Sequence, residues 1–249
     1  MSDELANLIH SHSADDLKRA AGDEALSEDL ALALLERRDL PPEALEALSK
    51  NAAALKSRRV QVALAAHPHT PRHVSLPAIR HLYTFELMQL ALSPAVLADI
   101  RKAAEETLVS RLEKITLGER TTLARRASGR VAAALLLDSE PRVLEAAVAN
   151  PFLTEVLVVK ALMSAKAPAA LVQLVCNDGK WSLRREVRIA LLRNENTPPD
   201  QATELARALP TGVLHEILQE SRLPAPAREC LQRELASREQ AEGNAEATT

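Results

Sequence analysis

Three histidines lie close together in the sequence, at a spacing that could bind a metal ion. His67, His69 and His73 stand within the segment HPHTPRH, and neutral imidazole is a common zinc ligand. A later stretch of the chain repeats this one, and its aligned residues are Asn194, Asn196 and Asp200. Asn does not replace His as a zinc ligand, whereas Asn, Asp and His share a role in turns. We therefore expect structural histidines and no metal site.

Arginine clusters are the second group of residues that could bind a ligand. They are Arg58 and Arg59, then Arg125, Arg126 and Arg130, and finally Arg184, Arg185 and Arg188, which follow Trp181. Guanidinium groups bind phosphates and carboxylates through paired hydrogen bonds, and an indole can stack on a base. Two interpretations stay open. The arginines line a groove for an acidic protein or nucleic acid, or they bond to neighbouring carbonyls and carboxylates.

No pattern typical of catalysis or of a cofactor site stands out. The sequence lacks GxSxG, the P-loop, GxGxxG and HExxH. Cys176 ends an apolar stretch and aligns with Ser49, as expected of a small buried residue. A DNA-glycosylase-like enzyme, the remote alternative, would need clustered aromatic residues and a basic surface. The chain has 2% aromatic residues and a net charge of −3. We expect no catalytic residue and no cofactor.

The composition predicts an all-α protein. Aromatic residues are rare and there are 6 glycines in 249 residues, while Ala and Leu are abundant. Sheets favour aromatic and β-branched residues and need glycine in their turns, whereas helices of Ala, Leu, Arg and Glu need neither. The two cysteines are far apart, the N-terminal stretch is acidic, and no apolar run is long enough to span a membrane. These features predict a cytoplasmic protein without membrane association.

The chain contains an internal duplication with an offset of 127 positions. The stretch RRVQVALAAHPHTPRH, from Arg58, aligns without a gap with REVRIALLRNENTPPD, from Arg185. The register predicts an N-terminal helix or frayed segment at 1–15, a first module at 16–112, a helical connector at 113–142, a second module at 143–239 and a disordered tail at 240–249.

A shorter unit repeats inside each module. Its pattern, V-x-x-A-apolar-apolar-x-[NH], starts at Val60, Val143 and Val187. The apolar spacing predicts the buried face of a short helix, and the Asn or His predicts its end. The Thr-Pro pairs at 70–71 and 197–198 predict an N-cap hydroxyl followed by proline in the first position of the next helix.

The turns HPHTP, from His67, NPFLT, from Asn150, and NENTP, from Asn194, resemble those of leucine-rich-repeat-variant proteins and, more broadly, of HEAT and armadillo α-solenoids. The resemblance covers nearly the whole chain, up to about Arg238. It implies a right-handed superhelix of short antiparallel helix pairs that binds other macromolecules. Some leucine-rich-repeat-variant proteins hold an iron–sulfur centre with N-terminal cysteines. No cysteine precedes Cys176, so that function is not carried over.

These observations predict a non-enzymatic scaffold whose concave face or edge binds a protein or peptide. The alternative is nucleic-acid binding through the arginine clusters and Trp181, which would weaken as salt rises. The sequence leaves the oligomeric state undetermined.

Overall fold

The polypeptide is helical in both of its two compact units, Met1–Lys114 and Ile115–Thr249. The computed structural model describes residues 2–220, 223 and 225–246. Within these residues there are seventeen α-helices, two short 3₁₀-helices and no strand. The predicted all-α class is therefore confirmed. Among the same residues, no helix has both the length and the apolar character needed to span a bilayer.

The first unit contains eight α-helices. They are α1 (Ser2–Ile9), α2 (Ala14–Gly22), α3 (Glu28–Glu36), α4 (Pro42–Lys50), α5 (Arg58–Ala66), α6 (Arg72–Ile79), α7 (Thr84–Leu92) and α8 (Ala98–Arg111), with 3₁₀-helices at Ala54–Lys56 and Leu112–Lys114. The second unit contains nine. They are α9 (Leu117–Arg126), α10 (Gly129–Leu135), α11 (Pro141–Val148), α12 (Glu155–Leu162), α13 (Ala169–Asn177), α14 (Arg185–Leu192), α15 (Pro199–Arg207), α16 (Thr211–Glu220) and α17 (Ala225–Glu246).

The duplication is visible in the helix boundaries themselves. Every helix from α1 to α8 has a counterpart from α10 to α17 that begins 127 residues later, and among the described helices only α9 has none. The repeated region therefore extends further upstream than the predicted modules, because α1 and α10 belong to it. Within the predicted connector, 113–142, α9 is the only helix without a counterpart. Most of the predicted disordered tail is helical, since α17 continues to Glu246, and 247–249 lie outside the described residues.

Within each unit, many helices pack against the next-but-one helix along the chain. In the first unit α1, α3, α5 and α7 pack in sequence, and α2 packs against α4 and α6 against α8. In the second unit α10, α12 and α14 form the equivalent row, beside α9, α11 and α13. Most of these helices have only eight to ten residues, too few for stability in isolation. Burial of their Leu and Ala side chains against neighbouring helices must therefore hold them.

A buried asparagine links one helix pair to the preceding pair. The side-chain amide of Asn150, which is 0% exposed, donates to the carbonyls of Ala124 at 2.8 Å and Ala127 at 3.0 Å, at the end of α9. Its Oδ1 accepts from the backbone N–H of Phe152 at 2.7 Å. The carbonyls at a helix C-terminus have no partner within the helix. Asn150 therefore satisfies them and orders its own turn at the same time.

The aligned residues Asn194 and His67 make the same link in the two units. Asn194 donates to the carbonyl of Leu162 at 2.6 Å and accepts from the N–H of Asn196 at 2.9 Å. His67 donates from Nε2 to the carbonyl of Arg37 at 2.8 Å, and its Nδ1 accepts a backbone N–H at 3.2 Å. The imidazole thus replaces a carboxamide, and this geometry requires the neutral tautomer with its proton on Nε2.

The threonines of the Thr-Pro turns close the preceding helix instead of capping the next one. The buried hydroxyl of Thr70 donates to the carbonyl of Leu64 at 2.6 Å, and the hydroxyl of Thr197 donates to the carbonyl of Leu191. The following prolines occupy the N-cap positions. The prediction of a threonine N-cap was wrong by one residue, because a buried hydroxyl takes the free carbonyl at the helix end.

Replacing Asn150 with Ala should lower the free energy of unfolding of the second unit by about 2–4 kcal/mol, because buried backbone groups lose their partners. Thermal or urea denaturation of the full chain measures this loss. The control is Asn194→His, which copies the arrangement at His67 and should cost less. Equal losses in the two variants would show that the hydrogen-bond pattern is not what matters.

Acidification should destabilise the first unit through His67. Burial lowers the pKa of His67 from its ordinary value of 6.5, so the folded state binds the proton less readily than the unfolded chain. The contribution of neutral His67 to the free energy of unfolding is fully present above the pKa that this residue has in the unfolded chain. It is lost as the pH falls below about 6.5. We expect the melting temperature of His67→Asn to depend less on pH in this range than that of the parent chain. The exposed-site variant His10→Asn should keep the parent profile, and an unchanged profile in His67→Asn would contradict this assignment.

Candidate interaction surface

The ring nitrogens of the histidines with metal-ligand spacing are engaged with backbone and carboxylate groups. His67 is engaged with the carbonyl of Arg37, and His69 bonds through Nδ1 to the carbonyl of Leu40 at 3.1 Å. His73 lies 3.3 Å from a carboxylate oxygen of Glu46. Among the described residues, no group of three or more His, Cys, Asp or Glu side chains is arranged to hold a metal ion.

The indole of Trp181 is part of the core. Its side chain is 2% exposed, and Nε1 donates to the carbonyl of Val148 at 3.0 Å. The aligned carbonyl in the first unit, that of Ala21, accepts instead from the amide of Asn51 at 3.0 Å. Asp178 stands where Asn51 would align, and a carboxylate cannot donate. Trp181 replaces the missing donor, so its ring has no exposed face on which a base could stack.

In the first unit, the clustered arginines Arg58 and Arg59 are held by carboxylates. Arg58 forms a two-bond pair with Glu86, at 3.3 Å and 2.5 Å, and its guanidinium lies 4.0 Å from the ring centre of Tyr83. Glu86 also accepts from the backbone N–H of Tyr83 at the start of α7. Arg59 pairs with Glu28 at 3.1 Å. These contacts match the structural interpretation of these two arginines.

The arginines at the start of α14 lack such carboxylate partners. Arg185 aligns with Arg58, but Val213 and Pro210 stand at the positions of Glu86 and Tyr83. Arg184 and Arg185 are exposed, and neither guanidinium has a hydrogen-bond or ion-pair partner within the described part of the chain. Arg188 differs, since its Nε donates to the carbonyl of Ser182 at 2.6 Å and so holds the turn that precedes α14.

Two contacts indicate that the N-terminal ends of α10, α12 and α14, which pack in a row, lie along one edge of the second unit. At one end of the row, a Cβ added to Gly129 of α10 would meet the carbonyl oxygen of Phe152, just before α12, at 2.2 Å. The C-terminal ends of α12 and α14 are joined by the bond from Asn194 to Leu162. Both helices have eight residues and pack against each other, so we infer that their N-terminal ends also lie side by side.

We call this edge the α10–α14 edge. It combines exposed apolar side chains with arginines. Phe152, Val156 and Leu183 are 52%, 75% and 67% exposed. Arg184 and Arg185 flank them at α14. The exposed arginines at the α10 end are Arg125, Arg126 and Arg130. Arg125 and Arg126 reach this edge because α9 ends there and only two residues separate it from α10.

The structure thus places two of the predicted arginine clusters on one edge and leaves Arg58 and Arg59 on the first unit. The sequence patterns did not predict the exposed apolar residues between them. Alignment of the two units would have revealed these residues, because Phe152, Val156, Leu183 and Arg184 align with Ala25, Asp29, Lys56 and Ser57. The first unit has the same helices with small or polar residues at these positions. The fold therefore does not need the apolar ones.

The charge of this region also differs from that of the whole chain. Residues 115–195 contain twelve Lys or Arg and eight Asp or Glu, whereas residues 196–249 contain five and nine. The net charge of −3 over the full sequence therefore conceals a basic region that contains α9 to α14. Such a region attracts acidic groups locally, over the screening distance of about 8–10 Å in physiological salt.

Comparisons of the chain with protein-family models, with curated proteins and with solved structures found no match.

Replacing Gly129 with Ala should disturb the α10–α14 edge. The added methyl group would lie within 2.2 Å of the Phe152 carbonyl, and overpacking of this kind costs about 1–3 kcal/mol. Thermal denaturation of the full chain measures the loss. Gly118→Ala is the control, because a Cβ at Gly118 of α9 meets nothing within 4 Å. A loss of stability in the control equal to that of Gly129→Ala would contradict the close approach.

Proposed function

We propose that this chain is a non-enzymatic helical-repeat scaffold that binds a partner protein on the α10–α14 edge of its second unit. The observation that carries the proposal is the divergence of two structurally equivalent surfaces. Four aligned positions have changed from small or polar residues to Phe, Val, Leu and Arg, although the same helices form in both units. Exposed apolar clusters rimmed by polar residues are typical of protein interaction sites.

The repeat architecture supports a scaffold role. Next-but-one helix packing and a polar link that recurs at several turns are features of stacked helix pairs, in which each pair buries its apolar face against its neighbours. Together with the HEAT-like and leucine-rich-repeat-variant resemblance of the turns, they favour a right-handed α-solenoid. Repeat proteins of this kind present extended binding surfaces instead of closed pockets.

The cysteines fit a reducing compartment such as the cytoplasm. Cys176 and Cys230 are free thiols, and burial raises the pKa of Cys176 to about 11. A buried thiol with a raised pKa is mostly protonated near neutral pH and is a poor nucleophile. Cys176 therefore serves as a small apolar residue of α13 in the proposed scaffold.

Nucleic-acid binding is the second candidate, favoured by the exposed Arg184 and Arg185 without carboxylate partners. Exposed guanidinium groups that are not paired with a carboxylate can bind phosphates. The proposal favours a protein ligand because Val156 and Leu183 add nothing to phosphate binding and because Trp181 is buried. Phe152 is the one exposed aromatic side chain that the described part of this edge presents.

A photo-crosslinking amino acid at position 156 tests the proposal. Val156 is 75% exposed, so the substitution should leave the fold intact. We expect it to capture protein in native lysate, in adducts that resist nuclease. Position 29 is the matched control, because Asp29 occupies the aligned and exposed position of α3 in the first unit.

Equal labelling at 29 and 156 would contradict a surface specific to the second unit. Adducts that disappear after nuclease treatment would favour the nucleic-acid candidate instead. Loss of the protein adducts when Leu183→Lys and Arg184→Ser are introduced would place the contact on this edge, because these substitutions restore the residues of the first unit.

A further inference from the structure

We infer that the segment bound at the α10–α14 edge is an acidic segment of a protein, with large apolar side chains at its centre and carboxylates at both ends. This inference rests on the proposed function and names the chemistry of its partner. It follows from the order of residues along the edge, which is basic at α10, apolar at α12 and basic again at α14.

The centre of the edge is apolar. Phe152 precedes α12 and Val156 lies in its first turn, so both stand at the N-terminal end of the middle helix of the row. Leu183 stands at the same edge, in the turn before α14, and each of the three is more than half exposed. A partner that covers these side chains must offer apolar surface, since burial of polar groups without partners is unfavourable.

The two sides of the edge are basic. Arg125 and Arg126 lie at the α10 side, and Arg184 and Arg185 at the α14 side. None of these four guanidinium groups has a hydrogen-bond or ion-pair partner within the described residues. Glu155 and Glu186 stand in the first turns of α12 and α14, so the edge retains an excess of positive charge. A guanidinium binds a carboxylate through two parallel hydrogen bonds, which makes an acidic partner complementary.

The row of helices also sets the length of the partner segment. Packed helices lie about 8–10 Å apart, so α10 and α14 are separated by about 16–20 Å across α12. A helical segment of about 16 residues spans about 24 Å and could reach both arginine groups while it covers the apolar centre. Carboxylates near its two ends and Leu or Phe at its centre would match the edge.

A nucleic acid fits this arrangement less well. Its phosphates would lie over the apolar side chains at the centre as well as over the arginines at the sides. Single-stranded nucleic acid binds through aromatic platforms combined with basic grooves, and the indole of Trp181 is not available for that purpose. We therefore assign the edge to a protein segment, and nucleic acid becomes one outcome of the test.

Fluorescence anisotropy with a panel of labelled probes tests the inference on the full chain. The first probe is a peptide of about 16 residues with Leu and Phe at its centre and Glu at both ends. The second carries Gln in place of Glu, the third carries Ser in place of Leu and Phe, and the fourth is a single-stranded RNA. We expect the first to bind tightest, and the second and third each to bind at least about tenfold more weakly, because each lacks one of the two interactions.

The decisive variant gives the second unit the edge of the first. It combines Phe152→Ala, Val156→Asp, Leu183→Lys and Arg184→Ser, which are the residues at the aligned positions. Because the first unit folds with these residues, the helices should be preserved, as circular dichroism would verify. We expect this variant to bind the first peptide at least about 30-fold more weakly, since it removes three apolar side chains and one guanidinium. Arg207→Ser, which removes an exposed arginine of α15, should change the affinity less than about twofold.

Several results would overturn the inference. These are equal binding of the three peptides, no binding of the first peptide, no effect of the four substitutions, or tighter binding of the RNA than of the first peptide. If position 156 still captures protein from lysate, failure of the peptide panel refutes the partner chemistry and leaves the scaffold proposal standing. If nuclease removes the captured material and the RNA binds best, both proposals fail.

Discussion

A hydrogen-bonded side chain that reaches back to the open end of an earlier helix is the interaction on which the rest of the structure depends. The helices are short, and their Leu and Ala contacts are non-directional, so apolar burial alone would leave the helix pairs free to slide. The carboxamide of Asn150 removes that freedom, because it binds two carbonyls of the preceding pair and the N–H of its own turn. Asn194 and His67 repeat this geometry, and Trp181 supplies the donor where an aspartate has replaced an asparagine.

This framework explains why the most reactive-looking residues are not exposed for binding. His67 has the spacing of a metal ligand, yet its two ring nitrogens are occupied by backbone groups. Trp181 looks like a stacking platform, yet its ring is buried and its indole N–H donates to a backbone carbonyl. Arg58 looks like an anion receptor, yet it holds the carboxylate that caps α7. The groups that remain for a ligand are those that the stacking of helices does not use, and they are concentrated where α10, α12 and α14 begin.

The duplication makes it possible to separate structural residues from functional ones within a single chain. Two copies share the positions where helices begin, together with buried leucines and turn bonds, so these features serve the fold. Where the copies differ at exposed positions, the fold has tolerated both residues, and another constraint must account for the difference. Arg58 and Arg185 illustrate this point, because the same arginine is paired in one unit and lacks a carboxylate in the other. The replacement of Asp29 by Val156 is harder to explain by folding, since an exposed apolar residue gains little in a monomer.

The sequence by itself determined the helical class, the 127-residue register and the structural role of His67, because helix periodicity and turn chemistry are local and the duplicated stretch supplied a second example of each. It did not determine the direction of the Thr70 hydroxyl, the burial of Trp181 or the state of each arginine. The Thr70 hydroxyl turns back to a carbonyl six residues earlier, at the end of the preceding helix. Trp181 and Arg58 depend on groups about 30 positions away that only packing brings near, namely the carbonyl of Val148 and the carboxylate of Glu86. Tertiary structure also decided that Arg125 and Arg126 stand on the same edge as Arg184 and Arg185. This placement requires three helices packed in a row, and a linear pattern does not specify the contacts between them.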